Sequence, residues 1–195
     1  MRMRRLTSIL IVLAFAGCVG GNEDPASTTT SSSSTTKAPD GPFGISSSVF
    51  SHMGDIPRRH TCDDANVSPP LTFANVPANA STLALIMEDP DAPSGTINHW
   101  TFWNLPTTKT GLPEAVNIAN EGGREGNNYG GPCPPDGEHR YFFYAYAVDS
   151  ELALAAGAGV PEMRQALEGH VVEEAEMYGL YCRPNVPPLP CADPV

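Results

Sequence analysis

Three apolar runs of strand length, each bounded by loops dense in proline and glycine, narrow the folds open to this chain. Ser81 to Met87 reads STLALIM, His99 to Leu105 reads HWTFWNL, and Arg140 to Val148 reads RYFFYAYAV. Aromatic and β-branched side chains in runs this short favour extended backbone. Between them, Asp91 to Gly95 and Gly122 to Gly137 are rich in Gly, Pro and Asn, which punctuate rather than propagate regular structure. Leu71-Thr72-Phe73, ahead of Val76-Pro77, reads as another short strand. The expectation is a β-rich domain. One helix is expected beside it. Pro161 suits a first helical turn, and Met163, Ala166, Leu167, His170, Val171, Glu174 and Tyr178 recur at three- and four-residue steps. This spacing predicts a helix from Pro161 to Tyr178, stopped by Gly179, with His170 as a packing residue. A shorter second helix is expected over Leu152 to Ala156.

The N-terminal region carries targeting information. Arg2, Arg4 and Arg5 precede an apolar run from Leu6 to Ala16, too short for a comfortable membrane span but suited to a signal peptide. It ends in Ala16-Gly17-Cys18, which resembles a lipoprotein signal: residues 1–17 are removed and Cys18 is lipidated. Residues 18–42 then read as a tether, because Thr28 to Thr36 is an unbroken Ser/Thr tract with no apolar surface to bury. The expected location is the extracytoplasmic face of the cell membrane, held by the lipid anchor. The remaining length, residues 43–182 with a Pro-rich tail over 183–195, fits one domain with a real core. The chain carries 22 acids against 11 Lys and Arg, a net charge of −11. Loss of the leader's arginines makes the balance more acidic still, and no basic patch offers itself to nucleic acid.

Four cysteines follow Cys18. Cys182 and Cys191 enclose the Pro-rich tail, so a disulfide between them would tie down a weakly held end. Cys62 and Cys133 would then pair or stay buried and reduced. No CxxC unit is present, which argues against a structural zinc or a thioredoxin-like redox site.

Asp89-Pro90-Asp91-Ala92-Pro93 and Gly130-Gly131-Pro132-Cys133-Pro134-Pro135-Asp136-Gly137-Glu138-His139-Arg140-Tyr141 place acids, imidazole and rigid prolines at the edges of apolar runs. Such edges build a small polar pocket on a stiff scaffold. With Thr61-Cys62-Asp63, Asn66 to Leu71, His99-Trp100 and Ala166 to His170, these segments resemble the phosphatidylethanolamine-binding protein family, in its prokaryotic Raf-kinase-inhibitor-like branch. The resemblance runs from Phe50 to Tyr181. It implies an antiparallel β-sandwich with one or two peripheral helices and a small anion-binding pocket at one end.

The resemblance also implies pocket roles. Asp89 is the first acid of the Asp-Pro-Asp-Ala-Pro motif, His99 the histidine of the following strand, and Gly131 and Pro132 one wall. His139 and Tyr141 line the cavity. Imidazole N–H groups can hold a phosphate or carboxylate, and a nearby acid can fix a tautomer or favour the charged ring. On the residues alone, His99 and His139 could equally be hydrogen-bonded core histidines. Asp91 either caps a turn or touches ligand, and Tyr129 is either pocket rim or loop packing. Arg140, between two inward candidates, alternates outward to a salt bridge.

No Gly-X-Ser-X-Gly elbow, HExxH or P-loop is present, so enzyme readings have little support; a weak hydrolase using Cys133 or Asp89 is the residual one. No cofactor or metal is expected. Two classes of function stay open. One is a membrane-tethered binding protein for a phosphorylated or other anionic small molecule, such as a phospholipid head group. The other is a protein-interaction module, a protease or kinase inhibitor, using a Gly-rich loop over Gly122 to Gly130 with Arg124 as bait.

Overall fold

The computed structural model describes residues 41–186. The expected leader, the lipidation site Cys18, all but the end of the tether and Cys191, the expected partner of Cys182, lie outside the described residues.

Among the described residues, eight strands make two antiparallel sheets. The smaller joins β1 (Gly44–Ser46), β2 (Leu71–Ala74) and β5 (Gly111–Leu112) in the order β1-β2-β5. The larger joins β3 (Thr82–Asp89), β4 (Ile97–Pro106), β6 (Arg124–Glu125), β7 (Glu138–Val148) and β8 (Val171–Cys182) in the order β6-β4-β3-β7-β8. The α-helix of the described residues, α1 (Val160–Leu167), packs on the outer side of the larger sheet. The antiparallel sandwich expected from the sequence is the fold observed.

The apolar runs explain the layers. β3 is central and buried on both faces, which is why STLALIM shows no alternation. Its Leu83, Leu85 and Met87 join Phe73, Phe102 and Phe143 in the core centred on one face, while Ala84 and Ile86 meet Trp103, Met163 and Leu167 of the helix layer. β7 alternates: Tyr141, Phe143, Ala145 and Ala147 are buried on the inner face. Phe142 and Tyr144 face outward and are only half-buried, and Arg140 is exposed, as alternation requires.

The long helix expected over Pro161 to Tyr178 is not formed. α1 ends at Leu167, Gly169 turns with φ +78°, and Val171–Cys182 becomes β8, paired with β7 from Val171↔Val148 to Cys182↔Glu138. The segment carries a period of two that the three- and four-residue count misread: Met177 and Tyr181 are buried inward, while Glu174 and Glu176 are exposed. Gly179 is no helix stop. A Cβ there would lie 2.5 Å from Ile56 Cγ1, so the strand needs glycine to let Ile56 and Phe50 close over it. His170 is an exposed turn residue bonded to Asp149 and Ser150, not a packed one. Leu152 to Ala156 forms no helix; that loop is pinned by Asn104, whose side chain accepts from Leu152 N and donates to Leu152 O.

Candidate functional site

The end of β3 supplies the centre of the site. Asp89, 3% exposed, closes the strand before Pro90. Its Oδ1 accepts the backbone N–H of Asp91 at 2.9 Å and its Oδ2 accepts Nδ1 of His139 at 2.8 Å. The carboxylate thus fixes the following turn with one oxygen and an imidazole with the other.

His139 and Tyr141 come from β7. They are two residues apart on one strand, so both point inward, and their rings lie 6.5 Å apart between centroids. The second nitrogen of His139, Nε2, meets Asp136 Oδ1 at 3.3 Å across the turn that leads into β7. Burial alone would lower the His139 pKa; the hydrogen bond and charge of Asp89, joined by Asp136, outweigh it and raise the pKa above the ordinary histidine value. As an imidazolium the ring donates to two carboxylates.

His99 reaches the same place from β4 by a different device. The β3–β4 register passes from Met87↔Trp100 to Glu88↔Asn98, leaving His99 as a bulged residue. A bulge re-aims a side chain that strict alternation would send away from its neighbour. Trp100 therefore stays in the core while His99 packs edge-on against Tyr141, ring centroids 5.2 Å apart. His99 Nδ1 donates to Gly130 O at 2.7 Å, since a carbonyl can only accept. Burial pushes the His99 pKa below the ordinary value, with His139 adding to the effect, although Gly130 and Asp89 oppose it. The ring is neutral at pH 7, and its Nε2 is a buried atom without a hydrogen-bond partner. Tyr141 Oη is also a buried atom without an assigned hydrogen-bond partner among the described residues, with the Asp89 carboxylate and the Cys133 backbone close enough to act on it. Burial and the Asp89 charge both raise the Tyr141 pKa.

The wall expected from Gly131 and Pro132 is bolted to the 60–66 segment. Gly131 N–H donates to Asn66 Oδ1 at 2.7 Å, and a Cβ on Gly131 would sit 2.4 Å from His60 O. Pro132 O accepts Cys62 N–H at 3.1 Å. A disulfide joins Cys62 and Cys133, Cα atoms 5.4 Å apart. Below it, Asp63 takes the Tyr181 hydroxyl at 2.7 Å and the Arg183 guanidinium at 3.0 Å, tying the end of β8 to the same segment.

Asp89, His99, His139 and Tyr141 are thus brought together, with Gly131 and Pro132 in the bolted wall. Asp91 and Tyr129 are each bonded within the protein. Asp91 accepts Arg140 N–H at 2.9 Å, Nε at 2.8 Å and Nη2 at 2.6 Å, and this side-chain pairing lowers its pKa to about 2. These three bonds hold the turn to β7. Tyr129 gives its hydroxyl to His60 O at 2.6 Å and sets its ring edge-on to Trp100, so it packs the loop. The Gly122 to Gly130 segment does not project as bait. Arg124 pairs with Trp103 in β6, and Gly126 and Asn127 bond Thr101, which continues the sheet. Asp136 and Asn66 hold the site without having been singled out for it. The i,i+3 spacing of Asp136 and His139 around Gly137, with φ +53°, is the signal that could have flagged the first.

A hollow of about 500 Å³ opens outside this group, lined by Asp91, Asp136, Glu138, His139, Arg140 and Leu180. His139 is where the hollow and the buried group meet.

Comparison with known proteins follows the same lines. The model of the phosphatidylethanolamine-binding protein family matches residues 46–182. A UPF0098 protein of Methanothermobacter thermautotrophicus is 47% identical over 148 residues, covering 71% of this chain and 98% of its own length. A solved homolog of phosphatidylethanolamine-binding protein from Chlamydia trachomatis is 36% identical, covers 73% of this chain and 98% of its own, and superposes with a TM-score of 0.69. E. coli YbcL, described as a new member of the mammalian family, is 26% identical, with 72% and 98% covered and a TM-score of 0.65.

Proposed function

The chain belongs to the phosphatidylethanolamine-binding protein family, and on that premise we propose that it is a membrane-tethered binding protein whose pocket takes a phosphorylated or other anionic small ligand. One observation carries the reading. His99 Nε2 and Tyr141 Oη are both buried without an assigned partner among the described residues, on two rings packed edge to face next to the Asp89–His139 pair. A buried polar atom left unsatisfied costs about 1–3 kcal/mol, and folded proteins keep few of them without a use. A guest oxygen in contact with both would satisfy them together. The hydroxyl of Tyr141 donates to it. His99 accepts from a protonated oxygen, or takes up a proton and donates to an ionised one. The positive ring of His139 supplies the charge, and Asp89 holds that ring in place. Assignment to the Raf-kinase-inhibitor-like branch, a phospholipid head group as the natural ligand, and anchoring through Cys18 are parts of the same proposal.

The test is calorimetric titration with inorganic phosphate. Wild-type protein is expected to bind at one site, and His99→Leu with Tyr141→Phe to lose the binding while keeping the fold. Equal binding by wild type and the double variant overturns the pocket. For the anchor, incorporation of radiolabelled fatty acid is expected in the wild type and absent in Cys18→Ala; equal labelling removes that part.

A further inference from the structure

Resting on that reading of the pocket, we propose that Asp136 is its internal occupant: a specificity-determining carboxylate that holds His139 Nε2 in the empty protein and is displaced by an incoming oxyanion.

The two acids on His139 are not equivalent. The Asp89 side chain is 4% exposed, and its other oxygen is committed to the Asp91 backbone. It cannot leave without stranding a buried ring and opening a turn. The Asp136 side chain is 57% exposed and bonds at the longer distance of 3.3 Å. It can rotate into water, because its own end of the pair is already solvated and His139 keeps its shorter bond to Asp89. The backbone beneath it need not move. Pro134 and Pro135 preset the approach and Gly137, with φ +53°, supplies the turn. Rotation of one side chain therefore uncovers an imidazolium N–H at the edge of the hollow, where a guest has room.

The arrangement also sets the ligand class. With both nitrogens spent on carboxylates, His139 offers nothing to a neutral or cationic guest. An oxyanion can replace Asp136 like for like. Once rotated, Asp136 still stands at the mouth beside Glu138, with Asp91 already neutralised by Arg140. Two negative groups there oppose a doubly charged guest more than a singly charged one. The site therefore favours monoanionic oxyanions over dianionic ones. The charged or titratable groups near His139 are Asp89 from β3, Asp91 from the turn, Asp136 from the loop and His99 from β4, with Glu138, Arg140 and Tyr141 on its own strand.

The experiment is imidazole NMR on the full chain during titration with inorganic phosphate, at pH 6 and pH 8, for wild type and Asp136→Asn. The substitution is isosteric and exposed, so the fold is kept and the melting curve shifts only slightly. Without phosphate, the pKa of His139 is expected to be lower in the variant. Phosphate is expected to bind the variant about three- to tenfold more tightly, with the larger gain at pH 8, where it is mostly dianionic. At saturation, the Nε2 signals of the two proteins are expected to converge. Equal or weaker binding by the variant, with His99 and His139 still responding to phosphate, overturns the displacement and leaves the pocket standing. No response of either histidine in either protein overturns both.

Discussion

His99 on β4 and His139 on β7 flank the end of the same strand, β3, yet one ring is pushed toward its neutral form and the other toward its charged form. His139 lies between two carboxylates. His99 faces a carbonyl on one side and nothing on the other. The supports differ as well. Behind His99 the wall is cross-linked by the Cys62–Cys133 bridge and braced by the Asn66 and Pro132 hydrogen bonds. Around His139 the hold is ionic, part of it open to water. A pocket built this way has one rigid wall carrying unsatisfied capacity and one adjustable wall carrying charge. Shape is set on the first and affinity on the second.

The largest effect is expected from breaking the covalent wall. Cys62→Ser with Cys133→Ser releases a link across 71 residues of sequence separation. The chain-entropy account gives a loss of about 4 kcal/mol for a loop of that size. Urea unfolding is expected to show it as a lower midpoint, with binding of phosphate falling because Gly131 and Gly130 are no longer fixed. A double variant of unchanged midpoint would mean that the hydrogen bonds alone hold the wall.

Next comes the ionic wall. Asp89→Asn removes the buried partner of His139 and leaves a side chain that can still accept from Asp91. The ring can answer by losing its proton, so the expected cost is about 2–3 kcal/mol rather than that of a stranded charge. The sharper readout is the histidine titration, in which His139 is expected to drop while His99 loses the small upward pull of Asp89. If His139 titrates as before, Asp89 does not govern its charge.

The two rings should also leave opposite marks on stability against pH. His139 has a raised folded pKa, so its contribution is fully present below the unfolded value of 6.5 and is lost as pH rises through the folded one. His99 has a lowered folded pKa, so its folded form is favoured above 6.5 and loses ground as pH falls below it. In denaturation series across pH 5 to 8, His99→Gln is expected to flatten the acid side and His139→Gln the alkaline side. Identical profiles would remove the contrast between the rings.

How far the sequence disclosed this arrangement depends on which interactions are local. The strands over STLALIM and RYFFYAYAV were legible because burial on two faces, or alternation on one, is written into consecutive residues. The pairing of Arg140 outward was legible for the same reason. β8 was hidden, because its few inward residues, Met177 and Tyr181, fall among glutamates whose spacing also suits a helix. The aim of His99 was not legible from alternation, since the bulge beside it is a property of register between two strands. Cysteine spacing left the Cys62–Cys133 bridge as one of several outcomes; the approach of Cys62 N–H to Pro132 O, fixed only in three dimensions, decides it. The role of Asp136 depends on a turn that brings it back over His139. A reading of residue types could note the pair but not its distance.

The smallest expected effect belongs to Asp91, and it tests whether the braces are part of the charged wall or only lie beside it. Arg140 binds Asp91 through its side chain and its backbone N–H, and this lowers the Asp91 pKa from 3.8 to about 2. The sign follows from the depressed value: the pairing contributes stability above pH 3.8 and loses it as pH falls through about 2. The Arg140 side chain is 49% exposed, so water screens most of the attraction and the gain at neutral pH is slight. Asp91→Asn is therefore expected to lie just below wild type in stability from pH 4 upward and to merge with it near pH 2. Phosphate binding is expected to change little, because the amide keeps the acceptor that Arg140 N–H needs. A loss of binding in Asp91→Asn comparable to that in Asp89→Asn would move Asp91 from the brace into the pocket itself, and the charged wall would then hold three acids rather than two.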